Sequence, residues 1–473
     1  MDAAHEDLAD FTVNELAKRG ASYAEARLEI YKGTGFLVKN GIVDAAAFDT
    51  VQGIGIRYIL DGTLGFFDTN ILEKDKIKQL LDSSLKTTKK SVKIGDKTLL
   101  SRENAFQKKY KVEQKIKLAN IDPDEKLEFM LDLDKALLDL KIDIPTRYFS
   151  YEDEVMEKYY VNSEGSKILA EIPRVDLFYI FTIKEKNETI QKHWQYGNTG
   201  GFEFVKNWKL EDTLIREAKA LYKNIKEGKK TPSGKMDVIV APEVTGIMTH
   251  ESIGHPYEAD RILGREGAQA GESFVTAGMV GSQIGSEMVT AVDDPTIPNS
   301  FGYFLFDDEG VPAKRKFLMK EGRINELLHN RETSASLGMK NNGSSRAKVY
   351  DVEAIVRMSN TFVLPGDWKE DEIIKDTKHG IYLKNFMEWN IDDVRLNQRY
   401  VGNEAYLVEN GEIKYPIKRP TIEITTPVLW KAVDAISNKI EYHAATCGKG
   451  EPMQGIPVWM GGPTMRLSKI AIK

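Results

Sequence analysis

A chain of 473 residues with 41% hydrophobic and 29% charged residues has an ordinary globular composition and exceeds what one core usually covers. Its net charge of -6, with acids and bases interspersed, argues against a dedicated nucleic-acid binder. The single cysteine, Cys447, excludes an intrachain disulfide, and no apolar run approaches the roughly 20 residues of a membrane span. Because the N-terminus lacks a signal-peptide pattern, we expect a cytoplasmic protein.

The first hundred residues combine helical and strand-like patterns. Amphipathic helices are predicted over residues 6–20 and 74–85. Between them, Asn40-Gly41 and Asp61-Gly62 each lie between apolar runs, which is the strongest short-range signal for a β-hairpin. We therefore predict an N-terminal α+β lobe with an antiparallel sheet over residues 1–100.

A central α+β region is predicted over residues 101–232. Its predicted elements are, in order, a lysine-rich connector, a helix, strands and a second helix, over residues 86–123, 123–140, 144–186 and 210–227. Residues 193–197 are assigned to a loop, with His193 as an ordinary surface residue. The polar, glycine- and proline-containing stretch 226–235 predicts a domain boundary.

The C-terminal domain, predicted over residues 233–473, is mostly β. A short buried strand precedes a helix that begins at Pro242 and carries His250. The glycine-rich residues 262–300 show few regular signals and predict a lid or a wall of a cleft. Further on, the patterns predict hairpins, a helix over 427–439 and a glycine-rich turn that holds Cys447. The predicted fold class is α+β, with antiparallel sheets in the N-terminal region and a larger β-rich domain that carries the metal-site helix.

The motif His250-Glu251-x-x-x-His255 places two of the seven histidines of the chain close to a glutamate. Imidazole is the commonest metal ligand in proteins, and zinc suits two histidines plus one further donor. A carboxylate beside the first histidine can accept a proton from a water on the metal. The motif therefore predicts a hydrolytic zinc site.

The spacing of the two histidines makes a demand on the backbone. Residues five apart lie roughly 140° apart around a regular α-helix, so a straight helix would direct the imidazoles to different faces. Both reach one metal if the helix has a π-bulge or ends before His255. Gly254 permits unusual backbone angles, and Pro256 disfavours the α conformation at His255. We predict that the helix ends or distorts between Ser252 and His255; the alternative is a helix end with solvated histidines.

A catalytic zinc usually takes three protein ligands, and the sequence leaves the third one open. The candidates are a thiol, two carboxylates and three imidazoles: Cys447, Glu258, Asp260, His329, His379 and His443. A lone cysteine is more often a small buried hydrophobe. Glu258 has a second possible role, because a carboxylate can orient a ligating imidazole instead of binding the metal itself.

The stretch from His250 to Asp260 resembles the motif of the TldD family of metalloproteases, the TldD/PmbA group. The resemblance extends to further blocks along the chain, namely Phe306-Asp307-Asp308-Glu309-Gly310, Asn342-Gly343-Ser344-Ser345-Arg346, Asn360-Thr361, Cys447-Gly448-Lys449-Gly450 and Gln454-Gly455-x-Pro457-Val458. It covers essentially the whole chain and is clearest over residues 236–465.

The resemblance implies a zinc-dependent peptidase that hydrolyses unfolded peptides or proteins. Carried over by position, it implies that His250, His255 and Cys447 bind Zn2+ and that Glu251 is the general base. A thiolate ligand weakens zinc as a Lewis acid, and Tyr257 or His443 is a candidate donor to offset this. Some members work with a related subunit that lacks the metal motif, so a homodimer or a heterodimer is expected.

Two other functions compete with a peptidase. The chain could be a non-catalytic scaffold or regulatory subunit of a peptidase complex, but such family members lack the His-Glu pair that this chain retains. It could also hold a structural metal that stabilises a binding module. Glu251 argues against the structural site, because a purely structural metal has no use for a neighbouring base.

Overall fold

The computed structural model describes residues 1–91, 97–267 and 271–473. The chain combines helices with largely antiparallel sheets, so the α+β prediction is confirmed. A seven-stranded sheet occupies the N-terminal half, and a ten-stranded and a six-stranded sheet occupy the C-terminal half. None of the described helices combines the length and apolar character needed to cross a membrane.

The N-terminal half is built on one sheet in the order β3-β2-β1-β5-β6-β4, with β7 also paired to β6. Its helices and strands are α1 (Ala3–Lys18), β1 (Tyr23–Lys39), β2 (Ile42–Leu60), β3 (Thr63–Thr69), α2 (Lys74–Ser91), β4 (Gln107–Lys111), α3 (Pro123–Leu138), β5 (Thr146–Asn162), β6 (Lys167–Glu185), β7 (Glu188–Thr199), α4 (Glu203–Asn207) and α5 (Leu210–Glu227). Because β1 pairs with both β2 and β5, the predicted N-terminal and central regions share this sheet. The division at residue 100 stays a prediction.

The two predicted hairpin turns of the N-terminal lobe are present. Asn40-Gly41 joins β1 to β2, and Asp61-Gly62 joins β2 to β3. All four residues have positive φ, from 49° at Asn40 to 84° at Gly62. This is the backbone of the two-residue turns that match the right-handed twist of antiparallel strands.

The prediction of a loop over residues 193–197 is wrong, because these residues lie within β7 and pair with β6. The strand forms because alternate side chains, Lys192 and Trp194, are buried. His193 is half-buried rather than an ordinary surface residue. The predicted connector over 86–123 contains residues 92–96, which lie outside the described part of the chain.

The C-terminal half begins with β8 (Lys229–Lys230), β9 (Gly234–Val240), α6 (Pro242–Thr249) and α7 (Ala259–Ile262). It continues with β10 (Ala291–Asp293), β11 (Lys316–Lys320), β12 (Arg323–Ile324), α8 (Arg331–Leu337), β13 (Ser345–Arg346), β14 (Ile355–Val356), β15 (Asn360–Val363), α9 (Glu370–Asp376), β16 (His379–Leu383), β17 (Phe386–Ile391) and β18 (Asn397–Gly402). It closes with β19 (Ala405–Glu409), β20 (Glu412–Lys418), β21 (Thr421–Thr425), α10 (Thr426–Lys431), β22 (Val433–Ile436), β23 (Glu441–Lys449), β24 (Gln454–Gly462) and β25 (Met465–Ile472).

Helix α6 is held against the six-stranded sheet, whose order is β12-β11-β10-β15-β24-β23. Val244, Ile247 and Met248 of α6 belong to the hydrophobic core that spans the central and C-terminal regions. Gly246 lets the helix approach β24 closely, since a Cβ there would lie 3.0 Å from the Gly461 nitrogen. Helix α6 is thus buried along almost its whole length, next to the edge strand β23.

Three C-terminal expectations need correction or restriction. The predicted helix over 427–439 ends at Lys431, and the following residues form β22, because Val433 and Ile436 pair with β25. Cys447 lies in β23 rather than in a turn, paired with Ile456 of β24. The predicted glycine-rich segment 262–300 is mostly irregular where described, and residues 268–270 lie outside the described chain.

Candidate metal centre

The helix that carries the two histidines changes geometry where the motif begins. It is α-helical to Thr249, has a π-helical turn over His250–Gly254 and ends in a 3-10 turn over His255–Tyr257. The amide of His255 donates to the carbonyl of His250, five residues earlier, as in a π-helix. The predicted distortion is therefore present, and it brings the two imidazoles to 4.9 Å between ring centroids.

Local packing explains why the helix distorts here. Ser252 Oγ donates to the Met248 carbonyl at 2.5 Å and receives a bond from Trp430 Nε1, which ties this turn to α10. A Cβ on Gly254 would lie 1.9 Å from Met358 Sδ, so a side chain at this position would displace Met358. The prediction that Pro256 displaces His255 from the α region is wrong: His255 has φ -59° and ψ -46°. Pro256 sits at the start of the 3-10 turn, where its missing amide is tolerated.

Cys447 of β23 meets the two histidines. Its Sγ lies 3.5 Å from His255 Nε2, across 192 positions of sequence. Donor atoms of His250, His255 and Cys447 all lie within 4.8 Å of one another, and all three residues are buried. The cysteine is thus placed by the pairing of β23 with β24, far from the helix in sequence but adjacent to it in space.

The three side chains fit a zinc ion. Tetrahedral zinc with ordinary Zn–S and Zn–N bonds places a sulfur and a nitrogen ligand about 3.5 Å apart, which is the separation found between Cys447 and His255. His250 Nδ1 is buried without a hydrogen-bond partner among the described residues. A buried polar atom without a partner costs free energy unless something binds it, and a metal would supply that partner.

The electrostatics of the group prepare the thiol for a cation. Burial alone would raise the pKa of Cys447, but His255, His250 and Arg357 outweigh it and hold the pKa well below its ordinary value. For His250, burial works against protonation, but the Cys447 sulfur outweighs burial and raises the pKa. A thiolate is the form of cysteine that binds metals, so the lowered pKa favours the ligating state of the sulfur.

A buried network of charged side chains contacts His255 on the Nδ1 side of its ring, away from Cys447. His255 Nδ1 lies 3.0 Å from Glu258 Oε2, and the same oxygen accepts from Arg261 Nε at 2.7 Å. Lys449, two residues after the cysteine, contacts Glu258 at 3.2 Å and Asp260 at 2.7 Å. Glu258 therefore orients the imidazole, leaving Nε2 directed at Cys447.

The remaining candidates for the third ligand lie elsewhere. His329 contacts Thr333, His379 is exposed on β16, and His443 packs against Trp194 with 5.2 Å between ring centroids. Burial, and then Lys192, lowers the pKa of His443 to about 3, so its imidazole is neutral. Among the six candidates considered from the sequence, Cys447 is the one that joins both motif histidines.

Glu251 has a partner that the sequence did not indicate. Its Oε2 accepts a hydrogen bond from Arg395 Nη1 at 2.8 Å, and both side chains are largely buried. Arg395 lies in the turn between β17 and β18 with φ 64°, and its carbonyl accepts from Thr426 Oγ1. No local pattern distinguishes this arginine, because its role depends on a turn that reaches the helix from 144 positions away.

The metal group opens into a cavity of about 300 Å3 that His250, Glu251, His255, Cys447 and Arg395 line. The apolar part of the wall is mainly aromatic, with Phe178, Trp194, Ile247, Phe386, Trp389 and Met460. His193, which the sequence placed on the surface, also lines this cavity. Tyr257 and His443 do not line it; the Tyr257 hydroxyl is buried without a partner among the described residues. Their roles as donors stay predictions.

Three family models match the chain in order. They are described as PmbA/TldA metallopeptidase domain 1, over residues 24–88, the central domain, over 116–222, and the C-terminal domain, over 233–473. The C-terminal model alone covers about half of the chain, including the histidine motif and Cys447.

Relatives and solved structures agree with these matches. A Methanocaldococcus jannaschii protein named as a metalloprotease is 32% identical, covering 94% of this chain and 95% of that protein. A zinc metalloprotease TldD homolog of Saccharolobus solfataricus is 28% identical over 75% of this chain and 77% of that protein. The fold is similar to that of TldE from Thermococcus kodakarensis, with a TM-score of 0.77 at 16% identity, covering 99% of this chain and 100% of that one. A Thermotoga maritima crystal structure matches with a TM-score of 0.80 at 19% identity, covering 99% and 100%.

With one domain model covering the site-bearing half and a curated relative above 30% identity along nearly its full length, the chain belongs to the TldD/PmbA family of metallopeptidases.

Proposed function

We propose that this chain is a zinc-dependent peptidase that hydrolyses peptides or unfolded proteins, with Glu251 as general base. The observation that carries the proposal is the convergence of His250, His255 and Cys447 with a buried carboxylate in one cavity. When bound, zinc polarises the scissile carbonyl and lowers the pKa of water. The relative named as a zinc metalloprotease supports this choice of metal.

Each residue of the candidate metal centre has its own role in the proposed reaction. His250, His255 and Cys447 would hold the ion, and Glu258 fixes the orientation of His255 through its contact with Nδ1. Arg395 occupies Oε2 of Glu251, so Oε1 is the oxygen that takes the proton from the attacking water. Glu251 then delivers this proton to the leaving amine nitrogen of the substrate.

The surroundings of the cavity suit an extended peptide. Cys447 lies on β23, the edge strand of its sheet, and residues 444–448 of this strand line the cavity. A substrate that adds to this edge would be held by main-chain hydrogen bonds, which do not depend on its sequence. The aromatic wall would receive an apolar side chain. An unfolded chain meets both requirements because its backbone and its apolar side chains are free.

Glu251→Gln tests the assignment of the base. The substitution keeps size and the ability to pair with Arg395, so zinc content should stay at the wild-type level while peptide cleavage falls about 100- to 10,000-fold. Glu287→Gln, at an exposed position, is the matched control. Wild-type cleavage by Glu251→Gln would refute the role of this residue.

Measurements of zinc content and peptide cleavage on the purified wild-type chain separate the competing functions. Bound zinc and chelator-sensitive cleavage of casein or peptides would establish the peptidase. Bound zinc without cleavage of any peptide would favour a structural metal. Absence of zinc, together with binding to a related subunit, would favour a non-catalytic scaffold.

For the oligomeric state, we propose that two copies of this chain pair through the outer part of β2. Residues 42–51 pair with β1 on one side, while β3 covers β2 only from Ile54 onward. Ile42 is 69% exposed and Phe48 61%, and an apolar strand edge of this kind is a template for another strand. Phe48→Lys should convert a dimer to a monomer in light scattering, whereas Leu99→Lys, at another exposed position, should not. A wild-type chain that is monomeric would contradict the proposal.

A further inference from the structure

A second cavity, of about 350 Å3, lies apart from the metal group. Two sequence blocks that the metal chemistry does not use meet there: Phe306, Asp307 and Asp308 of the first block and Arg346 of the second line its wall. The facing wall comes from the N-terminal sheet, including Tyr31 of β1 and Glu154 of β5. The cavity thus lies where the N-terminal sheet meets the C-terminal domain.

Arg346 carries a buried charge without an acidic partner. The residue is 5% exposed, and its Nη1 and Nη2 donate to the carbonyls of Met358 and Pro457 at 2.8 and 2.9 Å. Among the described residues, no carboxylate lies within ion-pair distance of it. Burial, then Arg174 and Arg357, lowers the pKa of Arg346 to about 9. A guanidinium in this setting lacks the counter-charge that buried charges ordinarily have.

The nearest acids are engaged by other cations. Asp308 pairs with Lys158 and accepts from the amide of Ala347 at 2.8 Å. Asp293 pairs with Lys316 at 3.1 Å and accepts from Ser359. These carboxylates attract Arg346 from a distance, but their hydrogen-bonding capacity is directed elsewhere.

Arg174, also on the cavity wall, has a donor without a partner among the described residues. Its contact with Glu154 is a single bond of 3.4 Å, and its Nε is buried without a hydrogen-bond partner in the described chain. A guanidinium offers five N–H donors in a planar fork that matches a carboxylate. Arg174 and Arg346 together therefore present positive charge to the same space, and Arg174 Nε adds a donor without a partner among the described residues.

A set of apolar side chains also lines the cavity and limits the ligands that fit in it. Met156, Ile172, Phe304, Phe306 and Ile456 form this set, and Arg346 lies over the Phe304 ring at 5.4 Å. Glu29 and Glu154 also line the cavity and repel any anion there, a doubly charged phosphate more strongly than a singly charged carboxylate. A singly charged carboxylate joined to an apolar group fits both the donors and the walls.

We propose that this cavity is a binding site for the carboxylate of an apolar amino acid derivative or of a peptide C-terminus, held by Arg346 and Arg174. Its position favours this class of ligand. It shares Glu154, Arg174 and Pro457 with a groove of about 790 Å3, and that groove shares Gln195 and Thr446 with the metal cavity. The terminus of a peptide bound in the groove would therefore lie next to the site. The binding does not depend on the peptidase reaction, so it can be measured in a variant without a metal group.

Isothermal titration of the full chain with N-acetyl-L-leucine is the direct test. N-acetyl-L-leucinamide, which lacks the carboxylate, should bind at least tenfold more weakly. Arg346→Met and Arg174→Met should each weaken binding of the acid about tenfold or more. Arg399→Met, which removes an exposed arginine on β18, and His250→Ala, which removes a metal ligand, should leave it unchanged.

A substitution that fills the cavity tests the site while both arginines stay in place. Ala347→Leu places a larger side chain in the cavity lining and should abolish binding, with an unchanged circular dichroism spectrum. This variant and Arg174→Met decide the outcome if Arg346→Met does not fold. Four results would overturn the site: no binding by the wild type, equal binding of acid and amide, binding lost only in His250→Ala, or tighter binding of inorganic phosphate than of the carboxylate.

Discussion

Arg395 Nη1 donates to Glu251 Oε2 at 2.8 Å, although 144 positions separate the two residues. The bond holds the carboxylate beside His250 in one orientation, with its second oxygen left for chemistry. Arg395 has a left-handed backbone conformation, φ 64°, that is uncommon outside glycine and asparagine. The turn is anchored by Thr426, whose hydroxyl donates to the Arg395 carbonyl.

Arg395→Met should lower kcat/KM about 10- to 100-fold while zinc content stays unchanged. The substitution leaves a buried carboxylate without its partner and free to rotate, a loss of about 1–3 kcal/mol. Arg395→Lys should recover part of the activity because it restores one donor. Arg399→Met, at an exposed arginine on the adjacent strand, controls for the loss of positive charge. Wild-type kcat/KM in Arg395→Met would show that the contact does not matter for catalysis.

Cys447 should be protected from thiol reagents by zinc. It is the single cysteine of the chain, so any labelling reports on this residue alone. Burial would raise the pKa of Cys447, but His255, His250 and Arg357 outweigh it and hold the pKa well below the ordinary value. The lowered pKa favours the reactive thiolate, which a bound metal would shield from the reagent. Removing zinc with a chelator should raise the labelling rate at least about tenfold.

Two variants complete the thiol experiment. His250→Ala should label rapidly with or without chelator, because the metal group is incomplete. Cys447→Ser should show no labelling and a reduced zinc content. Equal labelling of the wild type with and without chelator would remove Cys447 from the metal site.

The local part of the site could be predicted from the sequence. The histidine pair and its five-residue spacing together predicted a distorted helix, and the π-helical turn over His250–Gly254 is that distortion. The unusual backbone angles expected at Gly254 are absent, since its φ of -57° and ψ of -68° lie in the α region. Turn chemistry was equally local, since Asn-Gly and Asp-Gly specify hairpins without help from the rest of the chain. Both predictions depend on interactions within a few residues.

The long-range part could not be predicted from residue chemistry alone. Cys447 meets His255 because β23 pairs with β24 beside α6, and no local pattern encodes that pairing. The strand over residues 193–197 was missed for a related reason: its polar alternate residues resemble a loop, but burial of Lys192 and Trp194 decides the structure. Arg395 was missed because a turn arginine has no signal of its own.

Glu258→Gln should weaken zinc binding about 10- to 100-fold, the usual effect of removing a carboxylate that orients a ligating imidazole. Glu258 Oε2 contacts His255 Nδ1 at 3.0 Å, and three cationic or imidazole groups surround that oxygen. Glu287→Gln, at an exposed position, is the matched control. Competition with a zinc-binding dye measures the affinity, and an unchanged affinity would show that Glu258 supports only the fold.

The buried His329 should make the chain less stable in acid. Its Nδ1 lies 3.2 Å from Thr333 Oγ1, its Nε2 has no partner among the described residues, and burial lowers its pKa from 6.5 to about 4. The unfolded chain therefore binds a proton on this residue below pH 6.5 while the folded chain does not. Stability falls as the pH drops from 6.5 to 4, by about 1.4 kcal/mol per unit or about 3 kcal/mol in all.

Urea unfolding of the chelator-treated chain at pH 7 and pH 4.5 measures this loss, with the metal removed so that zinc release does not contribute. His329→Gln keeps a polar side chain of similar length without a titratable group, so its free energy of unfolding should fall less than that of the wild type by about 2–3 kcal/mol. His379→Gln, at the exposed histidine of β16, is the matched control. If wild type and His329→Gln lose the same free energy between the two pH values, the acid sensitivity does not originate at His329.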